Sequence, residues 1–323
     1  MAQNSKYTIA VTRRLPTICE RRLESSYTVH WGTDQKNLEP KEIITLTKKA
    51  DAIIVTPTET LSKETIEQFH NRCKIISCFS VGYEHISTIT AEKKNIVVTN
   101  TPGVLTQATA DLTLLLILGA TRRAAEGEQL IRSGKWKGWR PTQLIGSDIY
   151  GKTLGIYGMG RIGQAVARRA LAFGMNVIYH NRTRLKAAHL ADVTYVETAE
   201  ELLKKSQVLT IHAPLTDETN GFFDCDRLGL LPQGAVLINT ARGQLIDDNA
   251  LVTALENGAI SSAGLDVYTN EPKLDPRYKL LKNTFLLPHL GSATNSTREA
   301  MGMMAIDNIE EFIFSGKPMH RVV

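Results

Sequence analysis

Short apolar runs rich in β-branched residues alternate with helix-like segments along the first hundred residues. The runs at 7–12, 27–32, 52–57, 74–80 and 95–100 predict strands. Residues 62–72 show helical spacing, with Ser62 placed to cap the helix and Glu64 in its first turn. Strands that alternate with helices are joined by βαβ crossovers, so this part of the chain predicts a parallel sheet.

The same alternation resumes at residue 153 and continues to about residue 287, with apolar runs at 208–212, 235–240 and 286–287. We therefore expect a second sheet, which makes the chain an α/β protein with two doubly wound parallel sheets. One long helical pattern, 105–133, lies between the two. The last helical pattern, 296–315, has no strand after it and must pack on a sheet already formed.

The stretch 134–141 is rich in glycine and lysine and carries Trp136 and Trp139. Two tryptophans so close together are costly to leave in water, because each indole has a large apolar surface. Either the stretch is an ordinary loop packed on its own domain, or it is an arm that docks on a second subunit. Exposed aromatic arms commonly mark interfaces, so an arm is the favoured interpretation.

Composition and charge exclude several classes of protein. The 323 residues suggest two domains of about 150 residues each. The net charge of +5 is spread along the chain without a basic block, which argues against a nucleic-acid partner. The longest apolar stretch, 112–120, is too short to span a membrane, and the first residues contain no signal-peptide core. We expect a soluble cytoplasmic protein.

The four cysteines, Cys19, Cys73, Cys78 and Cys225, lie in or beside apolar segments and lack the spacing of metal ligands. This distribution predicts buried free thiols in a reducing compartment. We expect neither a disulfide framework nor a metal site.

A glycine-rich turn lies in the middle of the chain. A strand-like run, 152–157, leads into Gly158-Met159-Gly160-Arg161-Ile162-Gly163, and a helix and a second strand-like run, 176–180, follow. In this context the GxGxxG pattern predicts a dinucleotide-binding turn. Gly158 permits the tight turn, Gly160 lets the backbone approach a pyrophosphate, and Gly163 lets helix and strand pack closely. The pyrophosphate charge then lies against free N–H groups at the helix N-terminus.

The end of that second strand selects the dinucleotide. NAD-binding sites usually carry an acid there, which hydrogen-bonds the ribose 2′-hydroxyl. This chain has Asn181-Arg182-Thr183-Arg184 instead. An acid would repel a 2′-phosphate, whereas an amide, a hydroxyl and guanidinium groups bind it. We therefore expect NADP(H) to be preferred over NAD(H); the ordinary alternative is that Arg182 and Arg184 are solvated charges.

Three polar residues follow strand-like segments in the second half of the chain. Arg242 follows 237–241, Glu271 follows 264–270, and His289 follows 285–288. Taken singly, such residues are usually surface charges or structural groups. Ligands of open α/β sheets bind at the carboxyl ends of strands, so we expect all three to face one site.

Together these segments resemble the NAD(P)-dependent D-isomer-specific 2-hydroxyacid dehydrogenases over nearly the whole chain. Within that family they are most similar to the glyoxylate/hydroxypyruvate reductases, also called D-glycerate dehydrogenases. The resemblance rests on ordered motifs at 80–86 (SVGYEHI), 100–104 (NTPGV), 109–111 (TAD), 158–163 (GMGRIG), 212–216 (HAPLT), 239–243 (NTARG), 264–267 (GLDV) and 288–292 (PHLGS).

The resemblance implies that Arg242, Glu271 and His289 are the catalytic triad. An imidazolium can protonate the alkoxide that develops when a 2-oxoacid accepts a hydride, and a neighbouring carboxylate favours that charged form. The arginine fork can bind the substrate carboxylate and polarise its carbonyl group. By the same resemblance, backbone N–H groups around Val81 and Gly82 also hold the carboxylate.

The resemblance also implies which residues line the cofactor. Besides the glycine-rich turn and residues 181–183, these are Thr109, Ala213, Pro214, Thr219, Thr240, Ala241, Asp266 and Gly291. Two positions depart from the usual family pattern. Asn181 replaces the acid of NAD-using members, and Glu84 stands where many members have aspartate.

In this family the substrate domain is discontinuous. The resemblance implies a flavodoxin-like substrate domain, 1–102 and 292–323, and an inserted Rossmann cofactor domain, 103–291. A dimerisation arm at about 122–149 implies a homodimer, in which Trp139 limits the bulk of the substrate.

The expected activity is NADPH-dependent reduction of small 2-oxoacids, glyoxylate to glycolate and hydroxypyruvate to D-glycerate. Two alternatives stay open at this point. One is a reductase of bulkier 2-oxoacids such as phenylpyruvate or 2-oxoisocaproate. The other is a dinucleotide-sensing, corepressor-like binding protein, because the same fold and triad occur in corepressors and fold alone does not decide function.

Overall fold

The chain folds into two compact units. A computed structural model describes residues 6–185 and 192–323. The first unit holds the described residues up to Leu105 together with Thr294–Val323, and the second unit is Thr106–Ala293. The expected domain boundaries, 102/103 and 291/292, lie within three residues of the boundaries of these units. Their assignment to substrate and cofactor stays a prediction.

The first unit is a parallel sheet with helices on both faces. Its elements in chain order are β1 (Thr8–Val11), α1 (Thr17–Ser26), β2 (Thr28–Trp31), α2 (Pro40–Thr47), β3 (Ala52–Val55), α3 (Lys63–Glu67), β4 (Ile75–Cys78), α4 (Thr88–Lys93) and β5 (Val97–Thr99), followed at the end of the chain by the helix Asn295–Ser315, named α11 here. The strand order is β2-β1-β3-β4-β5, all parallel, which is the flavodoxin-like order.

Two apolar layers cover this sheet, because successive side chains of a strand point to opposite faces. Ile53 and Val55 of β3 pack with α2, α3 and α4, whereas Ile54 packs with α1 and α11. Strands buried on both faces read as continuous apolar runs, which is why β3 and β4 were easy to predict. As expected, the last helix packs on this sheet: the Ser77 hydroxyl on β4 donates to the carbonyl of Ala305 in α11 at 2.9 Å.

Beyond α11 the chain returns to the edge of the same sheet. The Val322 amide donates to the carbonyl of Val98 on β5 at 2.7 Å, and the Asn100 amide donates to the carbonyl of His320 at 3.2 Å. We call residues 320–323 the tail. It covers the edge of β5, which would otherwise present unpaired backbone groups.

The second unit contains the larger sheet. Its elements in chain order are α5 (Thr106–Thr121), α6 (Ala124–Arg132), β6 (Thr153–Tyr157), α7 (Arg161–Ala172), β7 (Asn176–His180), β8 (Val193–Tyr195), α8 (Ala199–Lys205), β9 (Val208–Ile211), α9 (Cys225–Leu228), β10 (Ala235–Asn239), α10 (Asp248–Glu256), β11 (Ile260–Leu265) and β12 (Thr284–Leu286), with 3₁₀ turns at Gly243–Leu245 and Pro276–Lys279. The parallel strands lie in the order β12-β11-β10-β9-β6-β7-β8. Strand order reverses between β6 and β9, which is the switch point at which doubly wound sheets bind ligands.

Two predicted helices differ from those observed. The single helix expected over 105–133 is wrong: it is two helices, because Arg123 adopts a left-handed conformation with φ of 53°. The Thr121 carbonyl accepts from the amide of Ser147 at 2.9 Å instead of continuing the helix. The helix expected over 62–72 ends at Glu67, and Arg72 turns back to pair with Asp51 at 2.7 Å.

The expectation about the cysteines is partly wrong. Cys19, Cys73 and Cys78 are buried free thiols, as expected, but Cys225 is exposed at the start of α9. Within residues 6–185 and 192–323, no helix is long and apolar enough to cross a membrane. The same residues contain no cluster of three or more histidine, cysteine or acidic side chains that could hold a metal ion.

Candidate active site

The glycine-rich turn connects β6 to α7, and two of its glycines are required by packing. Gly158 has φ of 98°, and a Cβ there would lie 2.7 Å from the Ala213 amide nitrogen. A Cβ on Gly163 would overlap the Gly158 carbonyl oxygen. A larger residue at either position would therefore push the turn away from the neighbouring backbone.

Gly160 is different, because a Cβ there would meet no protein atom within 4 Å. Protein packing does not explain this glycine, whereas close approach of a pyrophosphate does. Gly160 is also the N-cap of the twelve-residue helix α7 and provides no side-chain cap, so the first N–H groups of α7 have no such partner. These residues fit a dinucleotide phosphate.

The loop after β7 is tied to this turn by Asn181. Its Oδ1 accepts from the Met159 amide at 3.2 Å, and its Nδ2 donates to the Thr183 carbonyl at 3.1 Å. A carboxylate could replace the first bond but could not donate the second. Arg182, Thr183 and Arg184 are exposed, and the Arg184 guanidinium lies 5.5 Å from the centre of the Tyr195 ring. No acidic side chain occupies positions 181–184.

The loop after β9 brings Pro214 and Thr219 together. The Thr219 hydroxyl donates to the Pro214 carbonyl and accepts from the Thr216 amide, both at 2.8 Å. His212 begins this loop, and burial lowers its pKa to about 3, so its ring stays neutral. The turn at Gly158 packs directly on the backbone of His212 and Ala213.

Arg242 lies on a loop after β10, residues 240–242, which we call the Arg242 loop. The buried side chain of Asn239 shapes it: Oδ1 accepts from the Ala241 amide at 2.9 Å and Nδ2 donates to the Arg242 carbonyl at 2.8 Å. A Cβ on Gly243 would overlap the backbone of Tyr268. This glycine therefore lets the Arg242 loop approach the segment that leads to Glu271.

Glu271 and His289 form a direct pair. The Glu271 Oε2 lies 2.7 Å from the His289 Nδ1, and Oε1 accepts from the Tyr268 amide at 2.9 Å. About a third of each side chain remains exposed, 34% for Glu271 and 39% for His289. Because Nδ1 is held by the carboxylate, Nε2 is the ring nitrogen left to serve a substrate.

The charge state of Glu271 suits this arrangement. Burial alone would raise the pKa of Glu271, but the hydrogen bond and charge of His289, the Tyr268 amide and the charge of Arg242 together lower it below its usual range. Glu271 is therefore ionised at neutral pH, and the charge of Arg242 contributes to this.

Residues 289–291, the His289 loop, are held by side chains beneath them. His289 has φ of 55°, a conformation that needs support in a non-glycine residue. The buried Asp266 accepts from the amides of Leu290 at 2.6 Å and Gly291 at 2.8 Å, and burial raises its pKa. The Thr109 hydroxyl donates to the Gly291 carbonyl at 2.9 Å. In the Arg242 loop, the hydroxyl of Thr240 lies 3.1 Å from the hydroxyl of Thr113 on α5.

These bonds add to the predicted roles of Thr109, Asp266 and Gly291. All three were expected to line the cofactor, which stays a prediction. In the structure Thr109 and Asp266 hold the His289 loop by bonds to Gly291, which is part of it. Asn239 was not singled out from the sequence, although it sits directly before the Arg242 loop. The one feature that could have indicated Asn239 is its amide side chain at the end of an apolar strand, because a polar group buried there must form hydrogen bonds.

The predicted substrate loop of the first unit follows β4. In residues 80–82, the Val81 loop, each carbonyl accepts a hydrogen bond: Ser80 from the Thr101 amide at 2.9 Å, Val81 from Asn100 Nδ2 at 2.8 Å and Gly82 from the Ser80 hydroxyl at 2.6 Å. Within the described part of the chain, the amides of Val81 and Gly82 have no acceptor. Two such amides at a strand end can bind an anion.

The predicted arm leaves its tryptophans in solvent. Trp139 is 79% exposed and Trp136 50% exposed, on a segment without helix or strand. Packing of Trp139 on its own unit, one of the two alternatives, is therefore wrong. Docking on a second subunit stays a prediction.

Comparison with known proteins gives consistent matches. A family model described as D-isomer-specific 2-hydroxyacid dehydrogenase, NAD-binding domain, matches residues 114–291. A glycerate dehydrogenase of Hyphomicrobium methylovorum is 41% identical over 317 residues, 98% of each chain. A glyoxylate reductase of Thermococcus litoralis is 41% identical over 309 residues, 94% of this chain and 93% of that protein.

A solved structure extends the similarity to the fold. The NADPH-dependent glyoxylate/hydroxypyruvate reductase of Sinorhizobium meliloti, in complex with NADP and malonate, matches with a TM-score of 0.88 and 33% identity. The match covers 99% of this chain and 97% of that one.

Proposed function

This chain belongs to the D-isomer-specific 2-hydroxyacid dehydrogenase family, and we propose that it catalyses the NADPH-dependent reduction of glyoxylate to glycolate and of hydroxypyruvate to D-glycerate. It is an NAD(P)-dependent oxidoreductase. The observation that carries the specific proposal is the Glu271–His289 pair, 2.7 Å apart, on the sheet that also carries the glycine-rich turn. The names of the similar enzymes support the choice of substrates.

His289 is the proposed proton donor. Reduction of a 2-oxoacid turns its carbonyl oxygen into a hydroxyl, which needs one proton. The imidazolium Nε2 donates that proton, while the ionised Glu271 holds Nδ1 and stabilises the positive ring. His212 cannot replace it, because burial keeps its pKa at about 3.

Arg242 and the Val81 loop are the proposed carboxylate-binding groups. A guanidinium can bind two oxygens in one plane, so Arg242 can hold the carboxylate and polarise the carbonyl oxygen. The amides of Val81 and Gly82 add uncharged donors. Donors of both kinds suit a substrate with little beyond a carboxylate and a carbonyl group, which favours glyoxylate and hydroxypyruvate.

The glycine-rich turn and its neighbours are the proposed dinucleotide site, and a reduced dinucleotide bound there supplies the hydride. The absence of an acid at 181–184, together with the exposed Arg182 and Arg184, supports NADPH over NADH. Asn181 is already bonded to the turn, which leaves the hydroxyl of Thr183 and the guanidinium groups for a 2′-phosphate.

The arm is the proposed dimer contact. Its exposed tryptophans would be covered by a second copy, and Trp139 would then limit the bulk of the partner's substrate. Sedimentation of the wild type and of a Trp136→Ala/Trp139→Ala double variant tests this. A dimer that becomes a monomer supports the contact, and a wild-type monomer rejects it.

The activity is tested by following oxidation of NADPH with glyoxylate, hydroxypyruvate and phenylpyruvate. Fast turnover of the two small substrates supports the proposal. Preference for phenylpyruvate would favour a reductase of bulkier 2-oxoacids. Binding of NADPH without turnover of any 2-oxoacid would favour a corepressor-like binding protein.

A further inference from the structure

The Val81 loop is fixed through its carbonyl groups, which leaves its amides available. Each peptide plane is rigid, so a donor that holds a carbonyl also sets the direction of the amide joined to it. Two of the three donors, the Asn100 side chain and the Thr101 amide, come from the segment directly after β5. The geometry of the loop therefore depends on what holds Asn100 in place.

Asn100 is held by the C-terminal part of the chain. Its carbonyl accepts from Nδ2 of Asn308 on α11 at 3.0 Å, and its amide donates to the carbonyl of His320 in the tail at 3.2 Å. Asn308 Oδ1 also accepts from the His320 amide at 3.3 Å. One side-chain amide thus joins the tail to the segment that holds the Val81 loop.

Apart from these hydrogen-bond partners, the surroundings of Asn308 are apolar. It is 1% exposed, and its helical neighbours Ala305, Ile306 and Ile309 all lie in the apolar layer of the first unit. A buried asparagine there costs stability unless its hydrogen bonds are satisfied. Its two bonds go to Asn100 and His320, so its polarity serves this connection.

We propose that Asn308 is a positioning residue for the substrate carboxylate, acting through Asn100 on the amides of Val81 and Gly82. The inference rests on the proposed function, in which that loop binds the carboxylate. Asn308 touches neither substrate nor cofactor. It sets the affinity for 2-oxoacids and leaves proton donation by His289 unchanged.

The test compares Asn308→Ala with Cys19→Ala, both at fully buried positions in the packing of α11. The buried Cys19 thiol of α1 contacts the Glu299 carbonyl near the start of α11 at 3.6 Å. Asn308 lies in the second half of α11, so this contact is remote from it. Asn308→Ala should raise KM for glyoxylate and hydroxypyruvate by the same factor, about tenfold, with kcat within about twofold and unchanged Kd for NADPH. Cys19→Ala should lower Tm without changing KM. An unchanged KM in Asn308→Ala, or a loss confined to kcat, overturns the inference.

A double variant shows whether Asn308 acts through Asn100. Asn100→Ala removes the bond to the Val81 carbonyl but keeps the backbone bonds of residue 100 to Asn308 and His320. If the two residues form one path, Asn100→Ala/Asn308→Ala raises KM no further than Asn100→Ala alone. Additive effects on KM would contradict the path. Asn308→Ser replaces Asn308→Ala if the alanine variant does not fold.

Amide exchange separates this inference from the proposed function. Exchange at residues 98–101 should be faster in Asn308→Ala than in wild type or Cys19→Ala, whether or not any 2-oxoacid is reduced. Faster exchange with an unchanged KM overturns the inference while the proposed reaction stands. A wild-type protein that reduces no 2-oxoacid rejects the proposed function itself. Independently of that result, amide exchange at residues 98–101 that is the same in Asn308→Ala as in wild type rejects positioning by Asn308.

Discussion

The carboxyl ends of the two parallel sheets carry loops of opposite chemical character. In the first unit the Val81 loop offers two backbone amides and is held by uncharged groups, Asn100, Thr101 and Ser80. In the second unit the Arg242 and His289 loops carry a guanidinium and an imidazole paired with a carboxylate. Both sets lie where parallel sheets place their ligands.

In the proposed reaction the Val81 loop contributes to carboxylate binding, and the Glu271–His289 pair carries out proton transfer. Uncharged donors bind an anion without changing protonation, so their contribution is independent of pH near neutrality. The Glu271–His289 pair, by contrast, depends on an ionised carboxylate, whose pKa its surroundings lower. We therefore expect variants that disturb the Val81 loop to change KM, and variants of the Glu271–His289 pair to change kcat and its pH dependence.

The largest effect should come from His289→Ala. Loss of the proton donor should lower kcat for glyoxylate by about 10³-fold, while the Kd for NADPH stays unchanged. Steady-state kinetics and a fluorescence titration of NADPH measure the two quantities. His70→Ala, which removes an exposed histidine of the first unit, is the matched control and should keep wild-type activity. If His289→Ala kept more than about a tenth of wild-type kcat, proton donation would have to be assigned elsewhere.

Glu271→Gln should have a smaller effect on rate and a distinct effect on pH dependence. Reduction needs the ionised carboxylate, so the wild-type rate should fall as pH drops through the lowered pKa of Glu271, and the variant, which has no carboxyl group at position 271, should lose this acid limb. The lowered pKa of Glu271 means that its ionised form stabilises the fold at neutral pH, and this contribution is lost as pH falls through the lowered pKa. An unchanged pH profile of kcat would contradict coupling between Glu271 and His289.

Asn181→Asp tests cofactor selection within the second unit. An aspartate should accept from the Met159 amide as the asparagine does, but its charge should repel a 2′-phosphate. We expect the ratio of kcat/KM for NADPH to that for NADH to fall by about tenfold, since one charge is changed. Asn176→Asp, at the other end of β7, is the control and should leave the ratio unchanged. A wild-type preference for NADH would reject the proposal directly.

Trp139→Ala should give the smallest effect. If Trp139 limits the bulk of the partner's substrate, kcat/KM for phenylpyruvate relative to glyoxylate should rise by about threefold to tenfold. Trp136→Ala controls for general loosening of the arm. Unchanged selectivity would remove Trp139 from the substrate site and leave it as an interface residue.

Much of this molecule could be predicted from local patterns. The central strands are buried on both faces and so appear as continuous apolar runs. Gly158 and Gly163 are required by a left-handed turn and a close helix–strand approach, which are local consequences of the motif. Chain order and strand ends also indicated Arg242, Glu271 and His289, which follow β10, β11 and β12 at the carboxyl edge of the second sheet.

Other features depend on contacts between distant residues. The helical pattern over 105–133 is continuous in sequence, and the break at Arg123 exists because the Thr121 carbonyl bonds to Ser147, far along the chain. Asn239, Asp266 and Thr109 hold the Arg242 and His289 loops through bonds to backbone groups. A backbone partner cannot be inferred from the spacing of residue types. The tail pairs with β5 although its own sequence contains no strand-like run.

Periodicity, glycine stereochemistry and motif order are local properties, so the two α/β units, the glycine-rich turn, the family and the candidates for the triad could be read from the amino-acid sequence. How the Val81, Arg242 and His289 loops are held depends on contacts that form only in the folded chain. Asn308 lies more than two hundred residues from Asn100 in the chain, yet their hydrogen bond is 3.0 Å long. Only folding brings the Asn308 side-chain amide to the Asn100 carbonyl, because the partner of a buried polar group depends on distance in space and not on distance along the chain.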